Sequence, residues 1–350
     1  MIGQHSLQLI SFTKQMARKK FEPTGEISMS KKLLGAAAFG VMMMPGVAMA
    51  DECGEVSITE MNWASSAIIT EIAKFIMENG YDCSVQKVPS STTPSLVSVA
   101  ETGKPDIVTE LWINGAPAYQ ELQDAGKITT AADVLADGGL EGWWVPRYMV
   151  DANPELATIE GVLANAELLG GRFHNCPDGW ACKNTNGDLA RNFGLVDAGY
   201  EIFVHGSGET LATSIGAAYE SQEPWIGYYW SPDPLMAKYD MVEVDLGVPY
   251  NEEVFLCAAN AECTAEGVSS WPVGPVKTVV TTDFASREPA VAEFMTKMSY
   301  DNDTVLGFLS WMEDNKATYE EAAVYFLLNN KDMWSGWVSE DANKKLAEFF

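Results

Sequence analysis

The sequence is short of the residues that hydrolytic and metal chemistry rely on. Its 350 residues contain three histidines, His5, His174 and His205. His5 falls in a segment that reads as a removable leader, which leaves two. His205-Gly-Ser-Gly208 is not a G-x-S-x-G nucleophile turn, and no acid partner is in view. His174 with Cys176 and Cys182 lacks a fourth metal ligand, so neither a metal nor another cofactor is expected. Positive charge is scarce too: 22 Lys and Arg stand against 49 Asp and Glu, a formal net charge of −27. The first 50 residues hold six basic and two acidic groups, so the rest of the chain stands at about −31. Such a field argues against nucleic acid or an anionic membrane surface as partner and draws cations, although adaptation to a salty medium accounts for it equally well. No internal repeat or low-complexity run occurs, and after the leader no apolar run is long enough to span a bilayer.

The leader has the parts of a secretion signal. Lys31 and Lys32 form a basic start, Leu33 to Val47 is apolar but short, and Ala48-Met49-Ala50 is a small-residue cleavage site. Residues 1–50 are therefore read as a leader cut after Ala50, with Met29 as the natural start of the signal. The expected product is exported, periplasmic and monomeric. All six cysteines follow that point. An even count in an exported chain reads as disulfides, and spacing suggests Cys53–Cys83, Cys176–Cys182 and Cys257–Cys263, though spacing does not fix connectivity.

Strand and helix signals then alternate. Val56 to Trp63 reads as a strand, followed by a helix with Ser65 or Ser66 as cap and Ile68, Ile69, Ile72, Phe75 and Ile76 as its apolar stripe. Strands follow at Ser84–Val88 and Asp106–Trp112. Residues 142–150 read as an extended crossing to another lobe. Asn186 is placed as the cap of a helix through Phe193, and Tyr200–Val204 and Met241–Leu246 as strands. Cys257 to Cys263 reads as a surface loop, residues 271–282 as the extended return, and the end of the chain as helices. The alternation predicts an α/β fold with mostly parallel sheets. Two lobes are expected, 51–148 plus 272–350 and 149–271, joined as a hinge.

Aromatic placement points to a ligand site. Glu223 to Pro234 packs Trp225, Tyr228, Tyr229 and Trp230 into a strand that prolines stop. Alternation lets one face feed the core while Trp230, with Tyr228 as a further candidate, faces a crevice at the strand's carboxyl end. Trp63 and Trp112 also end strands, and Trp180 sits in the Cys176–Cys182 loop. Four rings converging on one cleft would make a box for a quaternary ammonium or similar methylated cation, each desolvated contact contributing about 2 kcal/mol. Glu110, two residues before Trp112, could complement such a cation. Gly206-Ser207-Gly208 reads as a turn whose amides, at Ser207 and Gly208, open a helix and could seat an anion; a plain tight turn is as good a reading.

These same pieces carry a resemblance. Met61-Asn-Trp63, Pro105-Asp-Ile107 with Glu110-Leu-Trp112, Gly142-Trp-Trp-Val-Pro146, Asn175-Cys-Pro-Asp-Gly-Trp-Ala-Cys182, Gly227-Tyr-Tyr-Trp-Ser-Pro232 and Ala237-Lys-Tyr-Asp240 span nearly the whole chain after the leader. In them it resembles the substrate-binding proteins of glycine betaine/proline betaine ABC transporters, the OpuAC-like group. The resemblance implies a two-lobe, type II periplasmic-binding-protein fold with the ligand cleft between the lobes. It implies no enzyme activity and an aromatic cage for a trimethylammonium or dimethylsulfonium head. The ligand would be glycine betaine or a relative such as choline, carnitine, trimethylamine N-oxide or dimethylsulfoniopropionate, passed to an inner-membrane permease. The paired-cysteine loops differ from shorter members of the group, which leaves Trp143 or Trp144 as substitutes for one of the four rings. A hydrolase acting on a quaternary ammonium compound and a sensory lobe for a chemoreceptor are the alternatives.

Overall fold

In the computed structural model, residues 53–260, 262–264 and 266–350 are described. The expected leader and its cleavage site lie outside them. Residues from Cys53 to Phe350 form one compact unit. Its strands are β1 (Glu55–Met61), β2 (Ser84–Ser90), β3 (Ile107–Trp112), β4 (Ile128–Pro146), β5 (Arg172–Asn175), β6 (Glu201–Val204), β7 (Gly227–Ser231), β8 (Met241–Glu243) and β9 (Gly274–Thr281). They are ordered β2-β1-β3-β9-β4-β7-β5-β6, with β8 also paired to β4.

The order follows from the connections. β1 runs parallel to β2 and β3, and β5 parallel to β6 and β7, each pair joined by helical crossovers as parallel strands require. β9 arrives from the end of the second half and pairs antiparallel with both β3 and β4. The sheet is therefore mixed at its centre, where the alternation pattern predicted mostly parallel pairing.

Strand β4, 19 residues long, is the structural axis. Its residues 128–139 pair with β9, and 140–146 pair with β7 and β8. One strand thus belongs to both sheets and changes partner between Gly139 and Leu140. The extended crossing read at 142–150 differs in part: extension begins at Ile128, and Arg147–Ala152 is helical. Gly138 and Gly139 had obscured the strand pattern.

Helix Ala64–Gly80 covers one face of the first sheet. Ile68, Ile69, Ile72 and Ile76 are fully buried, each contributing about 1.5–3 kcal/mol by leaving water. Its cap is Trp63 in extended conformation, not Ser65 or Ser66. Ser65 is occupied by a buried carboxylate described below. Around the second sheet a separate core gathers Trp143, Val145, Phe173, Leu189, Ile226 and Phe255. The helix expected from Asn186 starts earlier, at Cys182, because the closed cysteine loop turns directly into it. Asn186 lies inside that helix, accepting from Trp143 Nε1 and donating to Asn175. Cys257 is helical, within Glu252–Ala259, rather than in a loop. All three cysteine pairs are bridged as spacing suggested. No helix among the described residues is long and apolar enough to cross a membrane.

Candidate functional site: an aromatic cage with a buried carboxylate

Trp63, Trp112, Trp180 and Trp230 line one cavity together with Tyr228. About 310 Å³ of space free of atoms lies among these side chains, part of it open to solvent. Each ring arrives from a different element. Trp63 stands two residues beyond β1, Trp112 ends β3, Trp230 lies next to last in β7, and Trp180 projects from the Cys176–Cys182 loop. Trp180 forms the joint. Its ring meets Trp63 edge-on at 5.3 Å and 73°, and Trp230 at 5.1 Å and 79°. Its Nε1 donates to Asn62 Oδ1 at 2.8 Å, tying the loop to the end of β1. Perpendicular rings at this spacing attract each other while leaving faces free.

Two glycines make room. A Cβ at Gly139, where β4 changes partner, would collide with the Trp112 ring, and one at Gly208 would press on Trp180. Gly208 therefore contributes space to the Trp180 ring. Ser207 caps helix Gly208–Ser221: its Oγ accepts from Thr210 N while the Thr210 hydroxyl accepts from Ser207 N. Gly208 faces a second, larger cleft that shares Trp63 and Trp230 as walls and carries Asp233.

Glu110 does not line the cavity. It sits behind it, fully buried, at a bulge in β3 with φ +49°. Its Oε1 accepts from Trp63 Nε1 at 2.6 Å, Ser65 Oγ at 2.7 Å and Trp112 Nε1 at 3.4 Å. Oε2 is buried without a partner. Burial pushes the carboxyl up to about 7, against the pull of the three donors.

Glu141 is the polar group in the wall, and the sequence reading missed it. It is 3 % exposed and accepts from Tyr228 at 2.7 Å and from Asn114 at 3.3 Å. Burial raises it to about 7 as well, and its charge helps drive the Tyr228 hydroxyl upward. The signal was cross-strand register: Glu141 pairs with Trp230, so both project to one face. That register required β4, whose glycines hid it.

Trp143 and Trp144 do not reach the cavity. Trp143 packs on Phe173 and Phe193 in the second core, and Trp144 Nε1 donates to the Tyr229 carbonyl. Trp225 is packing too, stacked on His174 at 5.2 Å with Nε1 donating to Ser214. Among the described residues no His, Cys, Asp or Glu cluster could hold a metal ion. The cavity lining includes no His, Lys, Arg or nucleophile-base pair.

Comparison with known proteins bears on family and fold. Residues 54–329 match the family described as the substrate binding domain of ABC-type glycine betaine transport system. A trimethylamine N-oxide-binding protein of Pelagibacter ubique (strain HTCC1062) is 22% identical over 321 residues, 87% of this chain and 97% of that one. Among solved structures, the glycine betaine/L-proline-binding protein of Borrelia burgdorferi superposes with a TM-score of 0.67 at 17% identity, covering 83% of this chain and 99% of that chain. A choline-binding protein in complex with choline gives 0.68 at 17% identity over 85% and 97%. The shared fold is the type II periplasmic-binding-protein fold.

Proposed function

Since the chain belongs to the family of substrate-binding domains of ABC-type glycine betaine transport systems, we propose that its cage captures a methylated onium solute whose other polar group is an oxide or a hydroxyl, with trimethylamine N-oxide as the first candidate. One observation carries this choice: five rings share the cavity with Glu141 and with no Lys, Arg or His. The rings attract the onium centre and tolerate its methyl groups. A carboxylate on the ligand would meet Glu141 and find no cationic side chain. An oxide can instead accept from Glu141 in its protonated form, which burial keeps populated near pH 7. A hydroxyl can donate to the ionised form. The similarity to a trimethylamine N-oxide-binding protein supports the same order. A ligand of about five heavy atoms has a ceiling near −7.5 kcal/mol, so micromolar affinity is expected.

A second reading has its own observation. Ala181 and Cys182, at the start of helix Cys182–Asn192, also line the cavity. Free amides there could seat a ligand carboxylate, as in glycine betaine. Calorimetry of trimethylamine N-oxide, choline and glycine betaine on the parent and on Glu141→Gln separates the two. The first reading expects glycine betaine to bind about tenfold or more weaker than trimethylamine N-oxide, a difference of about 1.4 kcal/mol. It also expects Glu141→Gln to narrow that gap. Glycine betaine binding tightest, with Glu141→Gln indifferent, would establish the second.

The wider role follows the family. The leader would export the chain to the periplasm, where it would work as a monomer that hands its ligand to an inner-membrane permease. Its two lobes would close on the ligand about β4 and the return into β9. Residues 51–148 plus 272–350 would form one lobe and 149–271 the other, with the bend itself at Gly139 and Leu140, where β4 changes partner.

A further inference from the structure

We infer that Glu110 is a specificity-determining residue that never touches the ligand: through the two indoles it holds, its charge makes the cage prefer an onium centre over a neutral group of the same shape. The inference rests on the cage reading above and adds to it the origin of charge selectivity.

Three features set Glu110 apart from a carboxylate that merely fills space. Its Oε1 collects the N–H groups of Trp63 and Trp112, two of the four cage tryptophans, along with the Ser65 hydroxyl. Its Oε2 is buried with no partner, so the side chain is not optimised for packing or hydrogen bonding. Its backbone is held at φ +49° in a β-bulge, a conformation uncommon for residues other than glycine and costly to keep. Among the described residues no Lys or Arg neutralises it, in contrast to Asp106 four residues earlier, which is paired with Lys104 and Arg287.

An indole N–H that donates to an anion shifts electron density into its ring, and the ring face becomes more attractive to a cation. The same charge acts directly through a dry, low-dielectric layer, where attraction is screened far less than in water. Both effects vanish for a ligand in which carbon replaces the onium nitrogen. The unpaired buried charge costs the empty protein stability, and a bound cation offsets that cost.

Glu110→Gln keeps an oxygen to accept from both indoles and removes the charge. The test titrates this variant and the parent well above pH 7, where the Glu110 carboxyl is ionised, with choline and with the neutral carbon isostere of choline, and records the Tm of each without ligand. Choline affinity is expected to fall about tenfold, with the isostere within about twofold of the parent and a Tm unchanged or raised. Unchanged choline affinity overturns the inference. So do equal losses for both ligands, or a loss accompanied by a lower Tm, since those mark a purely structural role. Trp180→Ala, which leaves every Glu110 contact in place, serves as the separate check on the cage: if it binds choline like the parent, the cage reading fails, whatever Glu110→Gln does.

Discussion

Two buried carboxylates, Glu110 and Glu141, and the half-buried Asp233 sit around the cage, and desolvation raises all three to about 7. Two histidines are shifted the other way. His174 Nδ1 and His205 Nε2 share a hydrogen bond at 2.8 Å, and His174 is further sandwiched against Trp225. Burial holds His174 down to about 3 and lowers His205, with Arg172 repelling a proton from both. A depressed histidine is neutral in the fold and charges in the unfolded chain, so folding loses stability as pH falls below the unfolded value of about 6.5. The raised carboxylates act oppositely: their folded form becomes more favourable as pH falls from about 7 toward about 4.5. The parent's Tm therefore mixes two slopes. The difference in Tm between parent and His174→Gln should isolate one. It is expected to shift in favour of the variant as pH drops from about 6.5 to about 4, measured by thermal melts in a constant-ionic-strength buffer series. A pH-independent difference would mean that His174 takes up its proton in the fold as readily as in the unfolded chain.

The loop that carries Trp180 shows how an element supplies precision. Its ends are joined by Cys176–Cys182, and it runs into helix Cys182–Asn192 without a capping side chain. Cys182 itself lines the cavity. Closing so short a loop stabilises the fold by about 2–3 kcal/mol in the chain-entropy account, and it also confines a ring that touches two others. Replacing Cys176 and Cys182 by Ser should therefore cost both stability and about tenfold or more in ligand affinity, about 1.4 kcal/mol. The matched replacement of Cys257 and Cys263, a bridge of the same separation that lies away from the cavity lining, should cost stability and leave affinity intact. Melts and titrations on the two double variants check this. Equal affinity losses would show that the bridge acts by general stabilisation only.

For the molecule as a whole, the proposed cage and hinge predict a ligand-dependent compaction. The cavity draws Trp63 and Trp112 from the first sheet, Trp180 from the loop after β5, and Tyr228 and Trp230 from the second sheet. A ligand that needs all of them binds only the closed arrangement. Linkage then requires trimethylamine N-oxide to stabilise the fold by about 2.7 kcal/mol at a hundredfold excess over Kd. The expected result is a Tm that rises with the logarithm of ligand concentration, together with a smaller radius of gyration in solution scattering. A rise in Tm without compaction would place binding in an arrangement that is closed before the ligand arrives.

How much of this was legible beforehand differs by feature, and for physical reasons. Strand-helix alternation, the cysteine pairing and the four tryptophans depend on local patterns: period, parity in an exported chain, and large rings at strand ends. Those patterns survive in a bare sequence, and the fold, the bridges and the convergence of Trp63, Trp112, Trp180 and Trp230 on one cavity appear where they pointed. Contacts between distant elements were not legible. Glu141 enters the wall only because β4 registers against β7, and that strand was hidden by Gly138 and by Gly139, whose lack of a side chain is what admits Trp112. Glu110 looked like a candidate partner for the cation, yet a bulge turned it behind the rings, where its carboxylate accepts from two indoles, Trp112 at the end of β3 and Trp63 just beyond β1. Trp143 or Trp144 stood in the sequence as a substitute for one of the four cage tryptophans. Alternation along β4 sent Trp143 into the second core, and a backbone carbonyl took the indole of Trp144. Residue type and spacing determined that rings would gather. Which faces they present, and which carboxylate stands among them, was decided by strand register and burial between residues far apart in the chain, 87 positions for Glu141 and Tyr228.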